Sequence, residues 1–328
     1  MTTAPADVAA PAAGEQASAP AEVSAVRGPK AEPFFYGGQA VIEGVLMRGP
    51  RHWAVAARKP DGEIVLVEEP LTSRIYTSAV WARPFLRGIA GLVEMMHLGT
   101  RAIRWSANLQ AEALGIQLSK RAMRISMSIS VLLALGLFFG LPLVTAGLLH
   151  KGDRGLGFGL VEGLARGVIV VGYLSVISMV PSIARLFQYH GAEHKTINCF
   201  ESGAPVDVEH VRQASRLHPR CGTGFIVVVV FVSLVVLAPL AGLPLPFLIL
   251  SRLVFIPVIA AISYEAIRLL ARIRGTGAGR FLLIPVLACQ RLTTREPDDS
   301  MIEVAIVALS AARRATEGTP GTPLPLAS

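Results

Sequence analysis

Five consecutive residues, His190-Gly191-Ala192-Glu193-His194, carry the sharpest chemical signal in the chain. On a helix, His190 and His194 lie one turn apart on one face, so two imidazoles can converge on a single ion at about 2.0–2.1 Å. Glu193 sits about 60° around the helix from His190, suited to act as general base on metal-bound water rather than as a ligand. The order H-x-x-E-H is that of the inverted zinc-protease motif, and zinc is the divalent metal it favours. Catalytic zinc keeps three protein ligands and an open position, so a third ligand must come from elsewhere. Glu201 follows seven residues after His194 and shares its face if the helix continues. Glu265, in Ser263-Tyr264-Glu265, is a second candidate. His218 and Cys221, in His218-Pro219-Arg220-Cys221-Gly222-Thr223, offer a softer nitrogen–sulfur pair. The bland alternative is that these groups only hydrogen-bond near helix ends, with Gly191 and Ala192 allowing close helix packing.

The elements that must position these residues are largely apolar. Of 328 residues, 52% are hydrophobic, 16% charged and only 6% aromatic, a balance that argues against an ordinary soluble domain and excludes a disordered or collagen-like chain. Four segments, at about 126–149, 161–182, 224–242 and 246–265, reach the roughly 20 apolar residues that a membrane crossing needs. Lys120, Arg121 and Arg124 precede the first; Arg185, Lys195, Arg212, Arg216 and Arg220 lie between the second and third; Arg268, Arg272, Arg274 and Arg280 follow the fourth. By the positive-inside rule these regions are cytoplasmic, as are both termini of a multi-pass inner-membrane protein. The net charge of +8 then reads as topology, and no basic–aromatic motif points to nucleic acid. The expected partners are membrane lipid and an unidentified cytoplasmic or membrane partner. Cys199, Cys221 and Cys289 form no CxxC pair, so neither a disulfide framework nor a Cys-rich finger is expected. A reducing compartment suits them, with Cys199 and Cys289 as small buried hydrophobes.

The expected fold is a mainly α membrane protein with about four transmembrane helices. It opens with an Ala/Pro/Glu/Ser-rich disordered tail, 1–32, followed by a small β unit, 33–72, too small to stand alone. Pro60-Asp61-Gly62 is a turn in that unit. Alternation groups Gln39, Val41 and Glu43 on one side of its first strand, toward a site or toward solvent. An amphipathic helix over 80–110 follows. Its polar arc holds Arg83, Arg87, Glu94, His97, Arg101, Arg104 and Asn108, and the Glu94-His97-Arg101 group reads as a wet face. The helix either lies in the membrane interface or packs against the spans. The transmembrane domain covers 120–292 with a cytoplasmic loop at 183–223, in which Arg252 and Glu265 near span ends either serve function or snorkel. Phe281 to Cys289 is apolar but too short to cross, hence interfacial or re-entrant. A cytoplasmic segment, 293–313, carries a helix of about 12 residues, capped by Asp298 or Asp299 and striped by Ile302, Ala305, Ile306 and Leu309; a loose tail, 314–328, closes the chain.

Taken together, Gly37-Gly-Gln-Ala-Val-Ile-Glu-Gly-Val-Leu-Met-Arg48, Tyr189-His-Gly-Ala-Glu-His-Lys195, His218-Pro-Arg-Cys-Gly-Thr223, Ile262-Ser-Tyr-Glu265 and Gln290-Arg-Leu-Thr-Thr-Arg-Glu-Pro297 resemble the bacterial YqhQ-like family of uncharacterised membrane proteins. The resemblance runs in order from about Tyr36 to Leu309. It implies a membrane protein and a metal-dependent enzyme without naming a substrate. It also implies that His190, Glu193, His194, His218, Cys221 and Glu265 are signature positions, with Glu201 a weaker match. The expected function is hydrolysis at the cytoplasmic face through a divalent metal; the competing one is a non-enzymatic scaffold or small-solute transporter. The absence of an internal repeat weighs against an inverted-repeat transporter.

Overall fold

The structure is a computed structural model that describes residues 36–71, 80–81, 83–116 and 119–314. The tail expected at 1–32, and all but the first residue of that at 314–328, lie outside the described residues.

Period-two alternation builds a four-stranded antiparallel meander: β1 (Gly37–Val41), β2 (Gly44–Arg48), β3 (His52–Arg58) and β4 (Ile64–Pro70). The run expected as one first strand is a hairpin. Val41 pairs with Gly44, and Glu43 supplies the reversal by adopting φ 54° in the left-handed region. Glu43 therefore lies on neither face of a strand. Both faces of the sheet are covered: Val45, Met47, Ala54 and Ala56 pack on one side, and Val41, Leu46, Trp53 and Val55 on the other.

The first face receives α11 (Asp299–Arg314), 16 residues long, whose amide at Met301 donates to Asp298 Oδ1 at 3.0 Å. The expected stripe of α11 is buried, and so are Met301, Val304, Ala308, Ala311 and Ala312. The helix is wrapped because β2 and β3 cover one flank and α5 (Pro181–Glu201) the other. Full burial of Met301, Ile302, Ile306 and Leu309 contributes on the order of 1.5–3 kcal/mol per side chain.

The second face receives α1 (Leu86–Ala113) through Leu98 and Ala102. The expected wet face is largely turned inward: Glu94 is buried 3.6 Å from Arg48, and Arg101 reaches both oxygens of Glu69 at 2.9 Å while lying over Trp53. Periodicity identifies such an arc but not its partner, and here the partner is a charged sheet edge.

Among the described residues, three helical segments are long and apolar enough to cross a membrane: Arg121–Leu149, Leu156–Ile177 and Gly222–Gly242. The first joins α2 (Lys120–Leu135) to α3 (Leu141–Leu149) through a π-helical turn, Gly136–Gly140. The second is α4 (Leu156–Ile177); the third is α7 (Gly222–Leu237) with a 3-10 turn, and α6 (Val208–Gln213) is a short helix before it. The fourth expected segment is broken into α8 (Leu245–Val254) and α9 (Ile256–Ile273), bent by 45°. Pro257, in the first turn of α9, has no N–H to continue the preceding ladder. Phe281 to Cys289 belongs to a longer helix, α10 (Gly277–Thr293), packed on α7 and α9.

Inside the bundle, Glu162 bridges Arg166, one turn along α4, and Arg252 of α8; the three are 1%, 4% and 2% exposed. Arg252, expected either to serve function or to snorkel, does not snorkel and is sequestered. Arg166 also donates to Ser233 of α7 and to the carbonyl of Phe138, in the π-helical turn whose i→i+5 pattern leaves carbonyls out of the usual ladder.

Candidate metal centre

Helix α5 begins at Pro181, favoured at a first helical turn, and runs 21 residues without interruption. The helical condition on His190 and His194 is met, with ring centroids 4.4 Å apart. Gly191 lets the helix reach the extended segment after α10: a Cβ there would stand 2.0 Å from the carbonyl oxygen of Arg295. Cys221 is the N-cap of α7, its Sγ accepting from the Thr223 amide at 3.3 Å.

These elements converge. His190 Nε2 lies 3.2 Å from Cys221 Sγ, and one ligand atom from each of His190, His194 and Cys221 lies within 4.8 Å of the others, all three residues being buried. The far side of each ring is held by backbone: His190 Nδ1 is 2.7 Å from the Thr293 carbonyl and His194 Nδ1 is 2.6 Å from that of Arg216. A carbonyl oxygen only accepts, so each Nδ1 carries the hydrogen and each Nε2 presents a lone pair. Two imidazole lone pairs and a sulfur gathered this closely form a donor set that could hold a cation of zinc-like softness.

Glu193 approaches the same atoms, with Oε2 3.8 Å from His190 Nε2 and 4.0 Å from His194 Nε2. Burial pushes its carboxyl up to about 7, against the pull of His190 and of a hydrogen bond from the Gly38 amide. Gly38 is needed at this point: a Cβ would lie 2.5 Å from the Leu46 carbonyl oxygen and 2.9 Å from Glu193 Cγ.

The remaining candidates lie elsewhere. His218 flanks the group, its ring 5.7 Å from that of His194, with its backbone clamped by the Gln290 side chain at 2.9 and 2.8 Å. Glu201, the last residue of α5, pairs with Arg220 and stands 3.7 Å from His218 Nε2. Burial would raise its carboxyl, but His218 and Arg220 together hold it below the usual range. Burial also lowers the His218 imidazole. Glu265 is engaged by Arg87 of α1, at 2.7 Å from Nε. Among the described residues, none of these three joins the converging group. Glu43 reaches the site's helix instead, bonded to Arg185 at 2.6 Å and Tyr189 at 3.1 Å. Gln39 abuts Gly99 of α1. Cys199 and Cys289 are buried and free.

Sequence reasoning missed the Gly38 amide, the carbonyls of Thr293 and Arg216, and the Glu162–Arg166 pair. Backbone groups leave no residue-type signal, whereas an acid and a base four apart in an apolar run did.

Residues 83–315 match the family model described as "Protein of unknown function (DUF1385)". The chain is also similar to "Uncharacterized protein YqhQ" of Bacillus subtilis (strain 168), at 36% identity over 292 residues covering 84% of this chain and 91% of that protein. No solved structure matches.

Proposed function

The chain belongs to the DUF1385 family of proteins of unknown function, and we propose that it is a multi-pass inner-membrane protein that holds one divalent metal ion, zinc, at its cytoplasmic face and uses it for hydrolysis. Insertion is supported by the outward surface of the apolar helices, where Leu148, Val168 and Val235 are each 73% exposed, a pattern that lipid rather than water accommodates. The cytoplasmic side follows from the basic residues flanking the same helix ends.

The metal reading rests on one observation: the carbonyls of Thr293 and Arg216 engage Nδ1 of both histidines, while His190 Nε2 lies 3.2 Å from Cys221 Sγ and one ligand atom of each of the three residues lies within 4.8 Å of the others. His190, His194 and Cys221 would hold the ion. When bound it would supply a Lewis acid and lower the pKa of water beside it. Glu193 faces the same point from the sheet side and is placed to take a proton from that water and return it to a leaving group. The Gly38 amide orients its carboxylate. Cys221 caps an apolar helix at its entry into the bundle, so a substrate that reaches the site is a peptide or lipid-linked group close to the membrane surface.

The test is the metal content of protein purified without a His tag. The expected result is about one equivalent of zinc, lost in His190→Ala and His194→Ala; no stoichiometric metal in the folded wild type refutes the reading. A transporter reading draws on the buried Glu162–Arg166–Arg252 network, since ionisable groups at membrane depth often mark solute paths. It predicts flux into proteoliposomes that Glu162→Gln abolishes.

A further inference from the structure

Helix α1 turns much of its polar side inward and its apolar side outward. At about 100° per residue, Leu92, Ile103 and Met96 fall within an arc of about 40° that Val93 widens to about 100°, and all four are exposed, Met96 at 65%. His97, Arg104 and Asn108 border that arc and are exposed too. The opposite side is committed to the sheet through Glu94, Leu98, Arg101 and Ala102. A helix of 28 residues therefore presents a continuous apolar face with a polar edge and no protein against it among the described residues.

Where the helix ends are tied says what covers this face. Near its start, Arg87 binds Glu265, and Gly88 lies so close to Tyr264 that a Cβ would come within 2.8 Å. Glu265 stands 20 residues beyond Leu245, where α8 starts; at 1.5 Å per residue, less what the 45° bend between α8 and α9 removes, that is a little under about 30 Å, near the thickness of a bilayer's hydrocarbon core. Seven residues after α1 ends at Ala113, α2 starts at Lys120, one residue before the first apolar segment. With the bent α8–α9 pair taken as one crossing, counting along the chain places Lys120 and the α9 end on the same face of the bundle, the face that also carries Cys221. A rod about 42 Å long, tied at both ends to one membrane face, lies along that face.

The geometry points to α1 as an interfacial helix whose apolar face is covered by the lipid leaflet on the site-bearing side. Leu92, Val93, Met96 and Ile103 sink into the upper acyl region, and His97 and Arg104 lie at the level of the headgroups. Arg121 and Arg124, exposed at the start of α2, extend the same basic belt, which suits anionic phospholipid. The inference rests on the apolar helices crossing a bilayer and is independent of the metal.

The test uses full-length protein in vesicles of phosphatidylcholine and phosphatidylglycerol. Nitroxide labels are placed by Met96→Cys, by Val93→Cys as a second site, and by Asp61→Cys on the exposed β3–β4 turn. The native cysteines are all buried, and unmutated protein gives the labelling background. The expected result at 96 and 93 is oxygen accessibility several-fold above that of a water-soluble nickel chelate, with the reverse at 61. Nickel-chelate access at 96 and 93 equal to that at 61 overturns the inference. So does exclusion of both reagents with dipolar broadening, which would place a second copy of the chain on this face. Metal content read on the same samples separates failure here from failure of the metal centre.

Discussion

Glu162→Gln is the most revealing single substitution in the apolar bundle. The wild-type carboxylate accepts from Arg166 at 2.7 Å and from Arg252 Nε at 3.0 Å, with a further short contact from the second Arg252 nitrogen. Glutamine keeps the shape but removes the carboxylate charge that Arg166 and Arg252 share, and turns one acceptor into an NH2 donor facing guanidinium donors. Two arginines, 4% and 2% exposed, then share the interior with no counter-charge. Breaking a buried pair in this way costs about 3–5 kcal/mol. At roughly 2–4 °C per kcal/mol for a chain of this size, the midpoint of thermal unfolding should fall by about 6–20 °C. The assay is loss of the monodisperse peak in detergent size-exclusion runs after heating. Replacing all three partners together, by Glu162→Met, Arg166→Leu and Arg252→Met, should recover most of the loss, because an apolar set of similar volume needs no desolvation. A shift below about 2 °C for Glu162→Gln, or a triple variant weaker than the single one, would refute the argument that the network is a closed charge pairing.

Gly191→Ala drives a Cβ into the Arg295 carbonyl; overpacking of this kind costs about 1–3 kcal/mol. It should also reduce metal retention by shifting the segment that carries Thr293, readable as zinc per protein after dialysis, with Ala192→Gly, which weakens the same helix by about 1 kcal/mol without adding a Cβ, as the control. Below neutral pH the wild type should lose stability through His218. Its folded pKa is depressed by burial below the ordinary 6.5, so its contribution is present above 6.5 and lost as pH falls through the folded value. His218→Gln should flatten that part of a melting-temperature profile, and an unchanged profile would contradict the assignment. Deleting 299–314 strips the cover from Val45, Met47, Ala54 and Ala56; no monodisperse protein should be recovered, as size-exclusion chromatography would show.

How much of this was legible in advance depended on the range of the interaction. The His190–His194 pair is local, so helical spacing alone placed it. A third donor is not local: the sequence offered Glu265, Glu201 or His218 ahead of Cys221, whereas the packing of α5 against the first turn of α7 and the end of α10 sets Cys221 beside the two histidines. Glu265 was withdrawn by Arg87, 178 residues away. Length and hydropathy located the apolar segments. The break before Pro257 was written in the residue type but hidden by the continuous apolar run. For α1 the facing was split, because a polar arc meets solvent or a charged sheet edge equally well: Glu94 and Arg101 turn to the sheet, while His97, Arg104 and Asn108 stay exposed. The histidine tautomers rest on carbonyls of Thr293 and Arg216, groups that every residue carries.

The central claim is that two imidazole nitrogens and one thiolate share an ion. X-ray absorption at the zinc edge on protein purified without a tag tests it most directly. About one zinc per chain is expected, with two nitrogen neighbours at about 2.0–2.1 Å, one sulfur at about 2.3 Å and the sulfur shell lost in Cys221→Ser. No bound zinc, or a shell of oxygen alone, would contradict it.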